Sequence, residues 1–259
     1  MIISPQSTLS KSAFNVLKPN TYFIYQTEQL NTIERANKYH NNPSMSALFN
    51  KAYQVFDYSQ DNMLYYPSKY NNPPLFLPFI SISNKNTVIE ENKTIDILFY
   101  GTLNQRRYIV VEVLKQLMPH LNIVVEEKLF GKELQDKIKA SKIILNIHNY
   151  EHATLETARI SEAENYNVHI ISEKTHEIEL MSSFKNVHFI DELIDYAEKE
   201  SIDIEKSRFE NIVVLINRLL NTKINNNINN NDNNIKIIEN IFYPFKILDT
   251  IKYTIDNNN

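Results

Sequence analysis

Apolar residues recur along the chain in short runs separated by amphipathic stretches, and their spacing predicts the elements. Ile95-Asp96-Ile97-Leu98-Phe99-Tyr100 reads as a strand that stops at Gly101. Residues 105–118 (QRRYIVVEVLKQLM) carry apolar positions at helical spacing as far as Pro119. There follow a strand-like LNIVVEE (121–127), a helix from about Gly131 to Ala140, a strand-like KIILNIH (142–148) and a helix near 155–165. The short runs VHIIS (168–172) and VHFI (187–190) complete the pattern. Strands alternating with helices indicate βαβ units around a parallel sheet, so the expected class is α/β.

The first 80 residues repeat the theme less regularly. TYFIYQ (21–26) and YQVFDYS (53–59) read as strands with a helix at Ser44–Lys51 between them, and LFLPF (75–79) follows Pro73-Pro74. Tyr22, Tyr25, Tyr53 and Phe56 are expected in the core, and Asp57-Tyr58-Ser59 as a polar turn closing a strand. The polar stretch 81–93 (SISNKNTVIEENK) reads as a linker between a short N-terminal α/β unit, residues 1–80, and a Rossmann-like unit at 94–220 that ends in a long helix at 203–220. Residues 221–234 (NTKINNNINNNDNN) hold too little apolar surface to order themselves. Residues 235–259 are expected as a C-terminal helical segment broken at Pro244.

Composition removes several function classes. The 259 residues carry 27 Lys and Arg against 31 Asp and Glu, a formal charge of −4, which offers no broad face to a nucleic acid or an anionic membrane. With no cysteine, disulfides, thiolate nucleophiles and Cys-based zinc sites are excluded. The only glycines are Gly101 and Gly131, so neither a GxGxxG loop nor a Walker loop can form. The 35 Asn and 34 Ile read as coding bias rather than chemistry. The N-terminal MIISPQSTLSK lacks a signal-peptide pattern, and no apolar stretch reaches the roughly 20 residues of a membrane span, so a cytoplasmic location without an integral membrane segment is expected.

In open parallel sheets, ligands bind beyond the carboxyl ends of the strands, which directs attention to Gly101–Arg107, His148–His152, Glu156–Glu162 and Ser172–Lys174. The GTLNQRR turn places Gly101, Thr102 and Asn104 at a helix start, where backbone amides and the forks of Arg106 and Arg107 suit an anion. The same pattern fits a capped helix with two solvated arginines. Glu156, Arg159 and Glu162 form a stripe in which Arg159 can reach either carboxylate, either as a surface ion-pair ladder or as a ribose-binding edge. His148-Asn149-Tyr150-Glu151-His152 matches the H-x-x-E-H zinc pattern, but that pattern needs a helix and His148 closes an apolar strand. It reads better as a strand end directed toward a ligand.

Two stretches, IDILFYGTLNQRR (95–107) and KIILNIHNYEHATLETARISEAENYNVHIISE (142–173), resemble the donor-binding half of GT-B glycosyltransferases, in particular small bacterial and giant-virus members. ISPQ (3–6), YFIYQTEQL (22–30), VFDYSQDN (55–62) and LFLPF (75–79) resemble the same group in the same order. The resemblance implies two Rossmann-like units in a GT-B arrangement. It implies transfer of a sugar from a nucleotide sugar to a glycan, protein or lipid acceptor, with neither cofactor nor metal, in the cytoplasm (of the host, for a viral chain). Glu162 would bind the ribose and the Gly101 turn with Arg106 and Arg107 the diphosphate. Thr102, Asn104, Tyr150 and Arg159 would complete the donor site, with His148 and Glu156 as catalytic groups near the sugar. Where these relatives usually carry a glycine after the glutamate, this chain has Asn167. That departure and the short first unit keep open an inactive relative that only binds nucleotide or glycan.

Overall fold

The computed structural model describes residues 2–3, 16–30, 32–68, 70–79, 92–150, 153–177, 181–191, 193 and 202–220. All but the end of the expected linker at 81–93, the Asn-rich stretch 221–234 and the C-terminal segment 235–259 lie outside them. The chain is mixed α/β with two parallel sheets, and it divides into two compact units. One gathers Met1–Ile82, His152–Ser161 and Thr175–Ser183; the other gathers Ser83–Glu151, Glu162–Lys174 and Phe184–Asn259.

In the first unit, β1 (Ile2–Ile3), β2 (Phe23–Gln26), β3 (Gln54–Asp57) and β4 (Leu75–Phe76) pair in parallel and in chain order. Two helices link β2 to β3: α1 (Ile33–His40) and α2 (Pro43–Lys51). The second was expected and the first was not. Thr32 opens α1 by accepting the Arg35 amide at 3.2 Å, and Asn42 opens α2 by accepting the Ser44 amide at 3.0 Å, with Pro43 in the first turn. Met45, Leu48 and Phe49 of α2 pack on Ile24 and Val55. Strands laid down in sequence order send right-handed crossovers to one face of the sheet. The other face displays Phe23 and Leu75, and Tyr53, just before β3, is 59% exposed where a core position was expected. Tyr53 instead packs against the Phe23 ring in a T-shaped pair, 5.2 Å between centroids. Tyr22 and Tyr25 are buried as expected, and Phe56 is partly buried.

The second unit is built on β5 (Ile95–Tyr100), β6 (Ile123–Glu126), β7 (Ser141–Asn146), β8 (His169–Glu173) and β9 (Val187–Ile190), all parallel, in the order β6-β5-β7-β8-β9. Its helices are α3 (Gln105–Leu117), α4 (Gly131–Lys139) and α6 (Ile202–Leu219), and α5 (Thr157–Glu164) runs from the first unit's segment into the second's at Glu162. The near-continuous burial of β5, β7 and β8 is the mark of parallel strands covered on both faces. On one face Ile97, Phe99, Ile143, Leu145 and Ile171 meet Val110 and Leu114 of α3 with Phe209 and Ile212 of α6, while α4 packs on β5 and β7. The first strand of the unit lies inside the sheet. The chain winds to β6 on one side and to β7 on the other, so the order reverses between β5 and β7.

Truncating Phe209, fully buried between α6 and the sheet, to alanine is expected to cost about 3–5 kcal/mol in urea unfolding. Val214→Ala on the exposed side of the same helix should change stability by less than about 0.5 kcal/mol.

Candidate functional site

The reversal point is bounded by the loops that leave β5 and β7, of which residues 101–104 and 147–151 belong to the second unit. Gly101 leaves β5 with φ 123°, a backbone region closed to side chains, and its amide is held by the Glu126 carbonyl at 2.9 Å. Thr102 is exposed on that turn. The Leu103 amide donates to the Glu127 carboxylate at 2.7 Å, so an internal anion already uses part of the turn's polarity. Asn104 caps α3 by accepting the Arg107 amide at 3.0 Å.

Arg106 and Arg107 are 4% and 3% exposed, which excludes two solvated arginines. With Asn104 they grip the loop after β7, one carbonyl each. Arg107 Nε donates to the Ile147 carbonyl at 2.9 Å, Arg106 Nη1 to the His148 carbonyl at 3.0 Å and Asn104 Nδ2 to the Asn149 carbonyl at 2.7 Å. Arg107 also donates to the Thr102 carbonyl at 3.1 Å and lies over the Phe99 ring, 5.6 Å from its centroid.

Glu173, at the end of β8, completes the arrangement; the sequence pointed to its segment but not to this residue. Arg106 grips it bidentately, and its oxygens also accept the His148 amide at 2.6 Å and the Leu193 amide at 2.8 Å. Burial pushes the Glu173 carboxyl up, but the Arg106 guanidinium, helped by His148 and the Leu193 amide, outweighs it and holds the group below the usual carboxylate range. The His148 ring is fully buried, and neither of its nitrogens has a hydrogen-bond partner among the described residues. Tyr150 follows on the exposed part of the loop.

The remaining expected residues are distributed differently. Glu162, third from the end of α5, is hydrogen-bonded to Gln135 of α4, and burial raises its carboxyl above the ordinary range. It is therefore tied to a neighbouring helix rather than to Arg159, which pairs with Glu156 at 2.9 Å in the first unit. The expected helix at 155–165 starts only at Thr157, leaving Glu156 just before it. Among the described residues no group of three or more His, Asp or Glu side chains gathers to hold a metal, and Glu151 and His152 lie outside them.

The turn expected at Asp57-Tyr58-Ser59 is a buried polar network instead. Asp57 accepts the Ser59 amide at 2.9 Å, Asn62 Nδ2 at 3.0 Å and the Tyr66 hydroxyl at 2.7 Å. Glu177 accepts the Ser59 hydroxyl at 2.9 Å, the Gln60 amide at 3.1 Å and the Leu155 amide at 2.9 Å, and the Tyr58 hydroxyl meets that of Thr154 at 2.7 Å. These bonds knit residues 152–161 and 175–183 into the first unit.

Burial pushes the Asp57 carboxyl up to about 6, and its neutral donors only partly offset that. An acid whose folded value is raised adds stability that is complete below its unfolded value, about 4, and is lost as pH rises through about 6. The unfolding free energy of the wild type, taken as its difference from Asp57→Asn, is expected to rise by on the order of 2 kcal/mol between pH 7 and pH 4 in urea melts. A flat difference would refute this assignment. No protein-family model matches this chain, and no curated protein matches it either.

Proposed function

We propose that this chain is a GT-B-type glycosyltransferase whose second unit holds a nucleotide-activated sugar at the carboxyl edge of its sheet. The observation that carries the reading is the His148 imidazole, fully buried at the reversal point with both nitrogens open. A buried ring costs free energy until its polar atoms are paired, and sugar hydroxyls, which both donate and accept, match a ring that does the same. Two features support the family resemblance. Gly101 takes a conformation reserved for glycine at the turn expected to face the diphosphate. Asn167 has φ 51°, so the departure from the usual glycine keeps the left-handed backbone, which asparagine tolerates better than most residues.

In the proposed reaction the bond from the sugar's anomeric carbon to the diphosphate breaks and one to an acceptor hydroxyl forms, with the acceptor's proton leaving to a base. His148 touches the sugar, the start of α3 with Arg107 faces the leaving diphosphate, and Tyr150 borders the nucleotide. Glu162, in the second unit, keeps the ribose-binding role the resemblance implies. One observation favours the alternative of a binding module without turnover: the charge of Arg106 is matched by Glu173, which removes one of the two cations assigned to the leaving group.

Calorimetric titration with uridine, guanosine and cytidine diphosphates and their sugars is expected to give saturable binding to one base. His148→Ala should weaken the sugar conjugate about tenfold or more and the free diphosphate less, about 1.4 kcal/mol marking each tenfold step. Equal affinities in wild type and variant would remove His148 from the site. Sugar transfer to any acceptor excludes the binding-only alternative.

A further inference from the structure

We infer that Asn104, Arg106 and Glu173 are positioning residues that present the His148 ring, and that the Arg106–Glu173 pair itself touches no ligand. The inference rests on the reading of His148 given above.

Its basis is where the polar capacity of this cluster is spent. Three successive carbonyls, those of Ile147, His148 and Asn149, are taken one each by Arg107, Arg106 and Asn104. The remaining polar group of the His148 backbone, its amide, goes to Glu173. Residue 148 is therefore held at both its N–H and its C=O by the two members of one ion pair. Glu173 in turn receives four donors, two from Arg106 and one each from His148 and Leu193. Those four fill the acceptor sites of a carboxylate. With the charge of each member matched by the other, the pair has no net charge to offer an incoming phosphate. What the cluster leaves unspent is the imidazole.

Fixing the peptide on both sides fixes the direction in which the side chain departs, so only the two side-chain torsions remain to aim the ring. A group that must meet a ligand within a fraction of an ångström gains from such support, and small misplacements are costly. The first turn of α3 thus serves recognition indirectly. Its arginines hold the loop that bears the recognising group.

The test is nuclear magnetic resonance of the full chain labelled at histidine, with His148 signals identified by their loss in His148→Gln. In the wild type the His148 amide proton is expected far downfield and protected from exchange, as donation to a buried carboxylate requires. An amide proton that exchanges within seconds overturns the inference without any variant. In Glu173→Gln the His148 ring signals should move, while the His40 signals of the other unit stay in place. Should that variant fail to fold, Arg106→Gln/Glu173→Gln, which leaves no uncompensated charge, supplies the same comparison. Uridine diphosphate-glucose, used as the probe together with its guanosine and cytidine counterparts, should bind about tenfold more weakly to the folded variant. Unchanged His148 ring signals would overturn the inference. If the wild type binds none of the three probes, the glycosyltransferase reading falls, and the His148 signals still decide whether the pair positions the ring.

Discussion

A carboxylate removed from water must replace every hydrogen bond it gave up, and in the second unit that demand falls on Glu173. It is met by both arms of the Arg106 fork, the first amide after Ile147 and the amide of Leu193. Satisfying it draws together the start of α3, the exit of β7, the end of β8 and the chain beyond β9. A buried ion pair is a weak source of net stability, since desolvation offsets most of its attraction. Its effect here is geometric: once the pair forms, the loops at the reversal point of the sheet have one arrangement that leaves no buried charge alone.

The first unit handles a buried acid in the opposite way. Asp57 is surrounded by an amide, an asparagine and a tyrosine hydroxyl, all neutral, and its carboxyl is raised. Glu173 has a cation beside it and is lowered. Two residues of the same chemistry, both at strand ends, thus diverge because one has a guanidinium beside it and the other has neutral donors and a second acid, Glu177. The contrast assigns them different work. Glu173 is a permanent anion that fixes a loop, whereas Asp57 and Glu177 form a network whose strength follows pH.

The division between groups spent on structure and groups left over locates the candidate site. Among the residues the family resemblance pointed to, Asn104, Arg106 and Arg107 donate to backbone carbonyls, Glu162 binds Gln135 and Glu156 binds Arg159. His148 alone combines full burial with two open ring nitrogens. The proposed sugar site is therefore centred on this histidine, with the glycine turn and the start of α3 beside it.

Apolar periodicity and chain breakers act locally, so the α/β class and most strands and helices of the described chain can be read along the sequence. The runs at 95–100 and 187–190 became strands at those residues, and the helix ending before Pro119 became Gln105–Leu117. The glycine at the β5 turn is legible there too, since a backbone at φ 123° admits little else. The helix at Ile33–His40 was not expected, because few of its residues are apolar and it buries Ala36 and His40. That the first unit takes in segments from beyond residue 150 emerges on folding, where Thr154 meets Tyr58 and Glu177 meets Ser59, each more than ninety residues away. Folding likewise decides the fate of the two arginines. A helix start with two cations looks the same in sequence whether the charges meet water, a phosphate or a carboxylate sixty-seven residues on. Charge pairing is set by distance in space, and spacing along the chain does not encode it.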